Sequence, residues 1–553
     1  MDTTGAGRRA AGAGLIAAMV MVSVQLLWRV MDSKDNVVQA FPEFIATAIA
    51  RLTPLSFFGS VTENYGSLAK QSLLTVCIIG VVAVGPAAGK WAFALTRERS
   101  PSFGRRLMAG LVVAAGLLAV ALLVILPIAN LGIAARDSSY TSEILTQLFI
   151  TFALWAVVFA LLSAEPQVRE AAGAQVTRRS ALQSFGWSAI SLAALVGIIA
   201  SLADMFKGTK LSDAEVAAQE QAVDQIVQTE RPDVAAATPG AVTTASTPSG
   251  VFAQFDQLQA DGHLTPVLTE TRDFYHVSKN FTDPTVSSDG WSLEIGGLVT
   301  TPKSYSYDEL VGRSTVKNIT TLCCISNELN GDLISTAEWT GVRLVDLLAE
   351  VGVAQNTVDL KLTAADDYNE SIPLSIAQDP SVMIVTGMNG EPLGDDHGFP
   401  ARLIVPPIYG MKNVKWLKKI EAVDEDFKGY WQERGWSDTA RYQVWGRIDF
   451  PTGSLDAAGP VTACGMASAG DRGVQRVEVS VDNGATWADA QLEPALNAPF
   501  TWVRWAFPFT AQSGQVKMKI RVTDGKGEVM KEDEQAPLPD GATGWPSRTI
   551  NVK

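Results

Sequence analysis

The stretch Thr320-Thr-Leu-Cys-Cys-Ile-Ser-Asn-Glu-Leu-Asn-Gly331 decides how the C-terminal half of the chain is read. It continues a β-branched run, Val316-Lys-Asn-Ile-Thr-Thr-Leu322, that reads as a strand, and it ends in polar and small residues that do not. Cys324 therefore stands at a strand end, held by a rigid sheet and open to a pocket beyond it. A thiolate so placed suits a metal ligand or nucleophile, whereas a cysteine without further context is more often a small buried hydrophobe.

Four further blocks follow in order: Trp339-Thr-Gly-Val-Arg-Leu-Val-Asp-Leu-Leu348, Asn389-Gly-Glu-Pro-Leu393, His397-Gly-Phe-Pro-Ala-Arg402 and Lys412-Asn-Val-Lys-Trp-Leu417. In order and spacing they resemble the molybdopterin domain of the sulfite oxidase family. The resemblance implies a molybdenum-molybdopterin cofactor with Cys324 as metal ligand and catalytic centre. Cys323 falls where the family has other residues. Soft thiolate ligation suits a metal that cycles between high oxidation states. The same resemblance puts pterin and phosphate contacts on His397, Arg402, Asn413 and Lys415, another cofactor contact on His276, and an acidic contact on Asp366 of the pair Asp366-Asp367. From spacing alone, His397 is a loop histidine, Lys415 a solvated strand charge and Asp366-Asp-Tyr368 a turn.

Sulfite-oxidising members follow the cysteine with arginines that hold the sulfite dianion, whereas Ile-Ser-Asn-Glu-Leu-Asn follows Cys324 here. Glu328 would repel an anion. A neutral S-oxide or N-oxide substrate thus stands beside an oxoanion, with Lys279, Lys412 and Lys428 as the cations that would keep sulfite in play.

The expected fold is multi-domain: an all-α transmembrane region over 1–206, a linker over 207–250, an α+β molybdopterin domain over 251–430 and an all-β sandwich over 440–553. In the α+β part, residues 291–295, 358–362, 382–385 and 402–405 read as short strands, and 344–351 has helical spacing. In the last part Val477, Val479 and Val481 run into the turn Asp482-Asn-Gly484, and Val516, Met518, Ile520 and Val522 into Asp524-Gly525. Those ribbons with Trp487, Trp502 and Trp505 suit an immunoglobulin-like sandwich and resemble the family's dimerisation domain, which leaves a homodimer open.

With 47% hydrophobic residues in 553, the chain has room for a membrane portion. Uncharged runs over 10–28, 71–89, 107–135, 144–164 and 180–203 are each long enough to span a hydrocarbon core of about 30 Å. Residues 41–60 carry Glu43 and Arg51 and read as interfacial. Arg8 and Arg9, then Arg97, Arg99, Arg105 and Arg106, then Arg169, Arg178 and Arg179 all fall on one side of this pattern. That side is the cytoplasmic one by the positive-inside rule, so the N-terminus lies in the cytoplasm and the C-terminal domains outside a plasma membrane. Thr177-Arg-Arg-Ser-Ala-Leu182 reads either as a twin-arginine export signal or as a positive flank.

A net charge of -14 with no dense basic patch argues against nucleic acid. Four cysteines and three histidines make no disulfide framework and no zinc-type pair, and Cys77 and Cys464 default to packing. No histidine lies in a span to hold a membrane haem, so electrons are expected to pass to a cytochrome or a quinol route. The function expected is oxygen-atom transfer at a cysteine-ligated molybdenum. An S-oxide or N-oxide reductase is the alternative, and a non-catalytic surface receptor or assembly module the reading of another class.

Overall fold

The computed structural model describes residues 3–31, 39–53, 55–98, 101–129, 131–136, 138, 140–164, 193–199, 213–231, 248–280, 283–406 and 408–553. These form two compact units, one of residues 1–210 with 278–286, the other of 211–277 with 287–553.

Among the described residues of the first unit, four helices are long and apolar enough to cross a membrane: Ala6–Arg29, Ala69–Leu95, Phe103–Ile128 and Thr141–Leu162. They correspond to the first four expected spans. The fifth lies outside the described residues apart from a helical 193–199, and so does the twin-arginine stretch 177–182. Gly14 meets Gly85 and Gly89 so closely that a Cβ on any of the three would collide with the facing backbone. Small residues let apolar helices approach where no hydrophobic effect draws them together. Polar pairs add to this: Gln25 Nε2 donates to Thr151 Oγ1 at 2.9 Å, and Arg29 pairs with Glu43 at 2.8 Å with both side chains buried. Glu43 sits at the start of Phe41–Leu52, the helix expected at the interface. Cys77 is buried, as its default role requires.

The second unit opens with Asp213–Glu230, a helix inside the stretch expected to be linker. Its Val223 and Val227 are buried against Val267, Leu268 and Ile319, so this part of the stretch is packed. Ten strands follow: β1 Ser292–Gly297, β2 Lys303–Ser306, β3 Val316–Cys323, β4 Ile334–Arg343, β5 Asp359–Ala364, β6 Asn369–Pro373, β7 Met383–Met388, β8 Glu391–Pro392, β9 Arg402–Ile404 and β10 Leu417–Val423. They make two sheets, ordered β2-β1-β10-β5-β6 and β3-β4-β7-β8, with β9 on β7. The helix Leu344–Val351 buries Leu344, Leu347, Leu348 and Val351, the face that its spacing predicts.

β3 pairs with β4 in register from Val316↔Gly341 to Cys323↔Ile334, where the ladder stops. The loop from Cys324 is closed by Cys324 N–H to Leu333 O at 2.9 Å and by Leu333 N–H to Asn327 Oδ1 at 3.0 Å. Further along β4, opposite Asn318, Trp339 is fully buried in a cluster with Leu322, Met383, Val385 and Ile404. Burying a side chain of this kind is worth roughly 2–3 kcal/mol, which holds β3 and β4 on this core.

The remaining strands are β11 Trp445–Phe450, β12 Ser454–Leu455, β13 Gly459–Ser468, β14 Val474–Ser480, β15 Ala488–Asp489, β16 Gln491–Leu492, β17 Val503–Ala511, β18 Gly514–Asp524 and β19 Ser547–Val552. Two sheets, β11-β13-β17-β16 and β12-β19-β18-β14-β15, enclose a core that includes Val477, Val479, Trp505, Met518, Ile520 and Val522. Cys464 on β13 is buried.

Candidate molybdopterin site

The site is built around the strand end and the loops that face it. Cys324 is half-buried, with Sγ 3.1 Å from Ser326 Oγ. Its neighbour Cys323 is buried, and burial pushes that thiol far up, out of the range in which a thiolate forms. Of the vicinal pair, Cys324 is the exposed member and the one suited to a ligand role.

Around the pair stand phenols that residue spacing did not single out. Tyr442 Oη accepts the Cys323 N–H at 3.1 Å and donates to Thr321 O at 3.2 Å. Tyr409 stacks edge-on against Tyr442 at 4.8 Å, and its hydroxyl accepts from Gln443 N–H at 3.1 Å. Tyr275 lies within electrostatic reach of Cys324, Tyr442 and Arg402, and burial raises its phenol well above the ordinary value, so it stays protonated. The only sequence signal for it was its place beside His276 in Phe274-Tyr-His.

Arg402 begins β9, buried over the Trp339 ring at 5.3 Å. Its Nη1 donates to His397 O at 3.4 Å, while its Nε is buried with no hydrogen-bond partner. Burial lowers its ordinarily immovable pKa to about 10, offset in part by Tyr275 and Asp396. His397 is also buried, with Nε2 2.9 Å from Thr271 O; burial lowers its pKa to about 4, Asp396 working against this and Arg402 with it. The imidazole is therefore neutral near pH 7.

Lys415 Nζ donates to Asp396 O at 2.9 Å and lies 3.1 Å from His276 Nε2, over the Trp416 ring. Gly398, at φ +107, packs on the Lys415 side chain, and a Cβ there would fall 2.9 Å from Lys415 Cβ. The structure thus links His276, His397, Arg402 and Lys415 through Asp396 and the Gly398 turn, with Tyr275 in electrostatic reach of both Arg402 and Cys324.

Two expected ligands are engaged elsewhere. Asn413 Oδ1 accepts from Val405 N–H at 2.7 Å, and its Nδ2 donates to Ile408 O and Tyr409 O at 3.4 and 3.2 Å, so the amide holds its own loop. Asp366 Oδ1 accepts from Tyr368 N–H at 3.1 Å in the turn from β5 to β6, where Asp367 has φ +59. Two of the three cations expected to keep sulfite in play are engaged as well. Lys412 is buried between Glu370 at 3.0 Å and Asp438 at 3.3 Å, and Lys428 is held by Asp426 and Asp438 at 2.7 and 2.6 Å. Neither offers an open charge.

Residues 280–431 match the oxidoreductase molybdopterin binding domain, and 452–535 the Mo-co oxidoreductase dimerisation domain. The chain thus carries both of these domains and is similar to members of the sulfite oxidase family. Its relatives include mitochondrial sulfite oxidase of Homo sapiens, 29% identical over 51% of this chain and 60% of that one. Sulfite oxidase of Arabidopsis thaliana is 30% identical over 36% of this chain and 64% of that one. Nitrate reductase [NAD(P)H] of Hordeum vulgare is 30% identical over 43% of this chain and 32% of that one. The chain thus spans 40% to 60% of the length of the mitochondrial sulfite oxidases it matches. Among solved structures, the sulfane dehydrogenase SoxCD from Paracoccus pantotrophus aligns with TM-score 0.47 and 21% identity over 59% of this chain and 98% of that one.

The cofactor of this family is molybdenum held by molybdopterin, and the residues present fit it. A buried guanidinium with an unpaired Nε and, among the described residues, no carboxylate bonded to it is costly, and a bound anion would complete it. A phosphate-bearing pterin supplies one, and the half-buried Cys324 thiol supplies the sulfur donor.

Proposed function

We propose that the protein is a membrane-anchored molybdopterin-dependent oxidoreductase of the sulfite oxidase type, with Cys324 as the metal ligand. The observation that carries this reading is the buried Arg402 cation, whose Nε has no partner and to which no carboxylate is bonded among the described residues, with Tyr275 in electrostatic reach of both it and the Cys324 thiol. When bound, the cofactor supplies two-electron oxygen-atom exchange with a small substrate. The chain's own residues bind and orient. Arg402 and Lys415 offer charge to the phosphate, neutral His397 holds the loop between them, and Ser326 orients the Cys324 sulfur. Tyr275, kept protonated by burial, presents a hydroxyl at the site.

The net oxidation adds one water oxygen to the substrate and releases two protons and two electrons. The two electrons pass singly to an external carrier, a cytochrome or a quinol route. The apolar helices anchor the protein in the plasma membrane with its N-terminus in the cytoplasm. The twin-arginine stretch would carry the cofactor-loaded domain outward. The C-terminal sheets form an immunoglobulin-like sandwich, which pairs two copies as its family domain does.

One observation favours the reverse reaction, reduction of a neutral S-oxide or N-oxide. Lys412 and Lys428 are bonded to carboxylates, and Glu328 is exposed on the loop that follows Cys324, so these residues offer an anion no net attraction.

Elemental analysis and turnover of the wild type beside Cys324→Ser test the reading. About one molybdenum per chain in the wild type, with activity in the variant down by at least about a hundredfold, is expected. Assays with sulfite and a cytochrome in one direction, and methionine sulfoxide and a reduced viologen in the other, decide the substrate class. Metal-free protein from a molybdenum-replete host would leave the receptor or assembly reading in its place.

A further inference from the structure

A cavity of about 580 Å³ opens in the second unit, walled by the loop His263–Pro266, by Asn330 and by Arg447 and Ile448 of β11 and Arg548 of β19. Its volume is in the range of about 300–1,000 Å³ typical of small-molecule sites. It does not include Cys324, Arg402 or any other residue of the molybdopterin site.

Arg548 is out of place by the logic of its own strand. In β19, Arg548, Ile550 and Val552 share a face, and Ile550 and Val552 are buried in the sandwich core. Arg548 is in register with Met518, also in that core, so it occupies a position that alternation reserves for an apolar side chain. Its Nε is buried with no hydrogen-bond partner, and no carboxylate pairs with its guanidinium among the described residues. An inward cation without an anion is costly, and here it faces an open cavity instead of packed core.

The other walls explain what could complete it. Arg447 is fully committed: Nε to Asp449 at 2.6 Å, Nη1 to Gly331 O at 3.0 Å and Nη2 to Thr265 Oγ1 at 2.6 Å. Asp449, itself in the cavity wall, pairs with Arg447, and no carboxylate is bonded to Arg548 among the described residues. His263 stacks on Phe450 at 3.8 Å, which covers one ring face and leaves both ring nitrogens at the edge. Pro266 supplies exposed apolar surface, while Leu264 and Ile448 are buried behind it.

We infer that this cavity binds an organic oxyanion, a carboxylate, sulfonate or phosphate ester whose charged head lies on Arg548 and the edge of His263 and whose body lies against Pro266. Asn330, in the same wall, belongs to the loop that starts at Cys324, and its Oδ1 accepts from Ile448 N–H at 3.1 Å. An occupant would therefore rest on a segment tied to the molybdopterin site without entering that site.

Isothermal titration of phenyl phosphate into molybdenum-loaded full-length protein in detergent tests this, with inorganic phosphate as the body-less probe. One saturable site is expected, tighter for phenyl phosphate than for phosphate. Arg548→Gln should weaken it by about tenfold or more at an unchanged melting temperature. If Arg548→Gln fails to fold, His263→Gln takes its place and should weaken the same site. No saturable heat, or equal affinity in the variant, overturns the inference.

Discussion

Two buried cations of the molybdopterin domain, Arg402 and Lys412, sit ten residues apart in sequence and have opposite surroundings. Lys412 is held by Glu370 at 3.0 Å, Asp438 at 3.3 Å and Ser371 O at 2.9 Å. Arg402 has one long bond to a carbonyl, an aromatic ring beneath it and an Nε with no partner. A fold that buries a charge for its own sake supplies the counter-charge. Where it leaves a guanidinium uncompensated at the floor of a loop-built site, the missing anion belongs to a ligand. The same domain thus holds a structural cation and a receptive one, and the difference lies in the neighbours.

The strongest way to break this comparison is to remove Lys412. Lys412→Met should cost about 3–5 kcal/mol of stability, because it leaves Glu370, fully buried, without its cation. Chemical unfolding of the full chain in detergent, followed by tryptophan fluorescence, reads this. Adding Glu370→Leu to the same chain should restore most of the loss. A loss below about 1 kcal/mol in the single variant would show that the ion pair is not what holds this region.

How much of this was legible in the sequence differs between backbone and side chains. The strand to Cys324, the helix Leu344–Val351 and the valine ribbons of the C-terminal sheets follow from periodicity, because alternation and helical spacing report local geometry directly. His397, Arg402 and Lys415 came from the resemblance, and the structure links them. Asn413 and Asp366 came from it too, but their side chains serve their own loops, which no spacing reveals. Lys412 was read as open charge because Glu370 lies 42 positions away and meets it only through the fold of β6. Tyr275, Tyr409 and Tyr442 were missed for the same reason: three phenols distant in sequence converge on two adjacent cysteines.

A second, smaller effect sharpens the contrast through His397. Burial, helped by the Arg402 charge, holds its folded-state pKa near 4, below the ordinary 6.5. Between those values the unfolded chain takes up a proton that the folded chain refuses. Stability contributed by the neutral imidazole is therefore whole above about pH 6.5 and falls as pH drops toward 4, by about 3 kcal/mol in all. His397→Gln should flatten the stability profile in that window and leave it unchanged in slope above pH 7. An identical slope in the variant would mean that another group carries the dependence.

The smallest effect is the most telling, because its sign is opposite to that at Lys412. In protein produced without molybdopterin, Arg402→Met removes an unpaired buried cation and fills much of the same volume over Trp339. Unfolding of that form should be unchanged or about 1 kcal/mol harder than wild type, the lost cation–π contact offsetting part of the gain. In protein from a molybdenum-replete host the order reverses, since the wild type alone can complete its charge and gain the stabilisation of a bound ligand. Fluorescence of released pterin reads cofactor content in the same samples. A loss of about 3 kcal/mol or more in the cofactor-free variant would mean that the fold itself compensates Arg402, and the distinction from Lys412 would collapse.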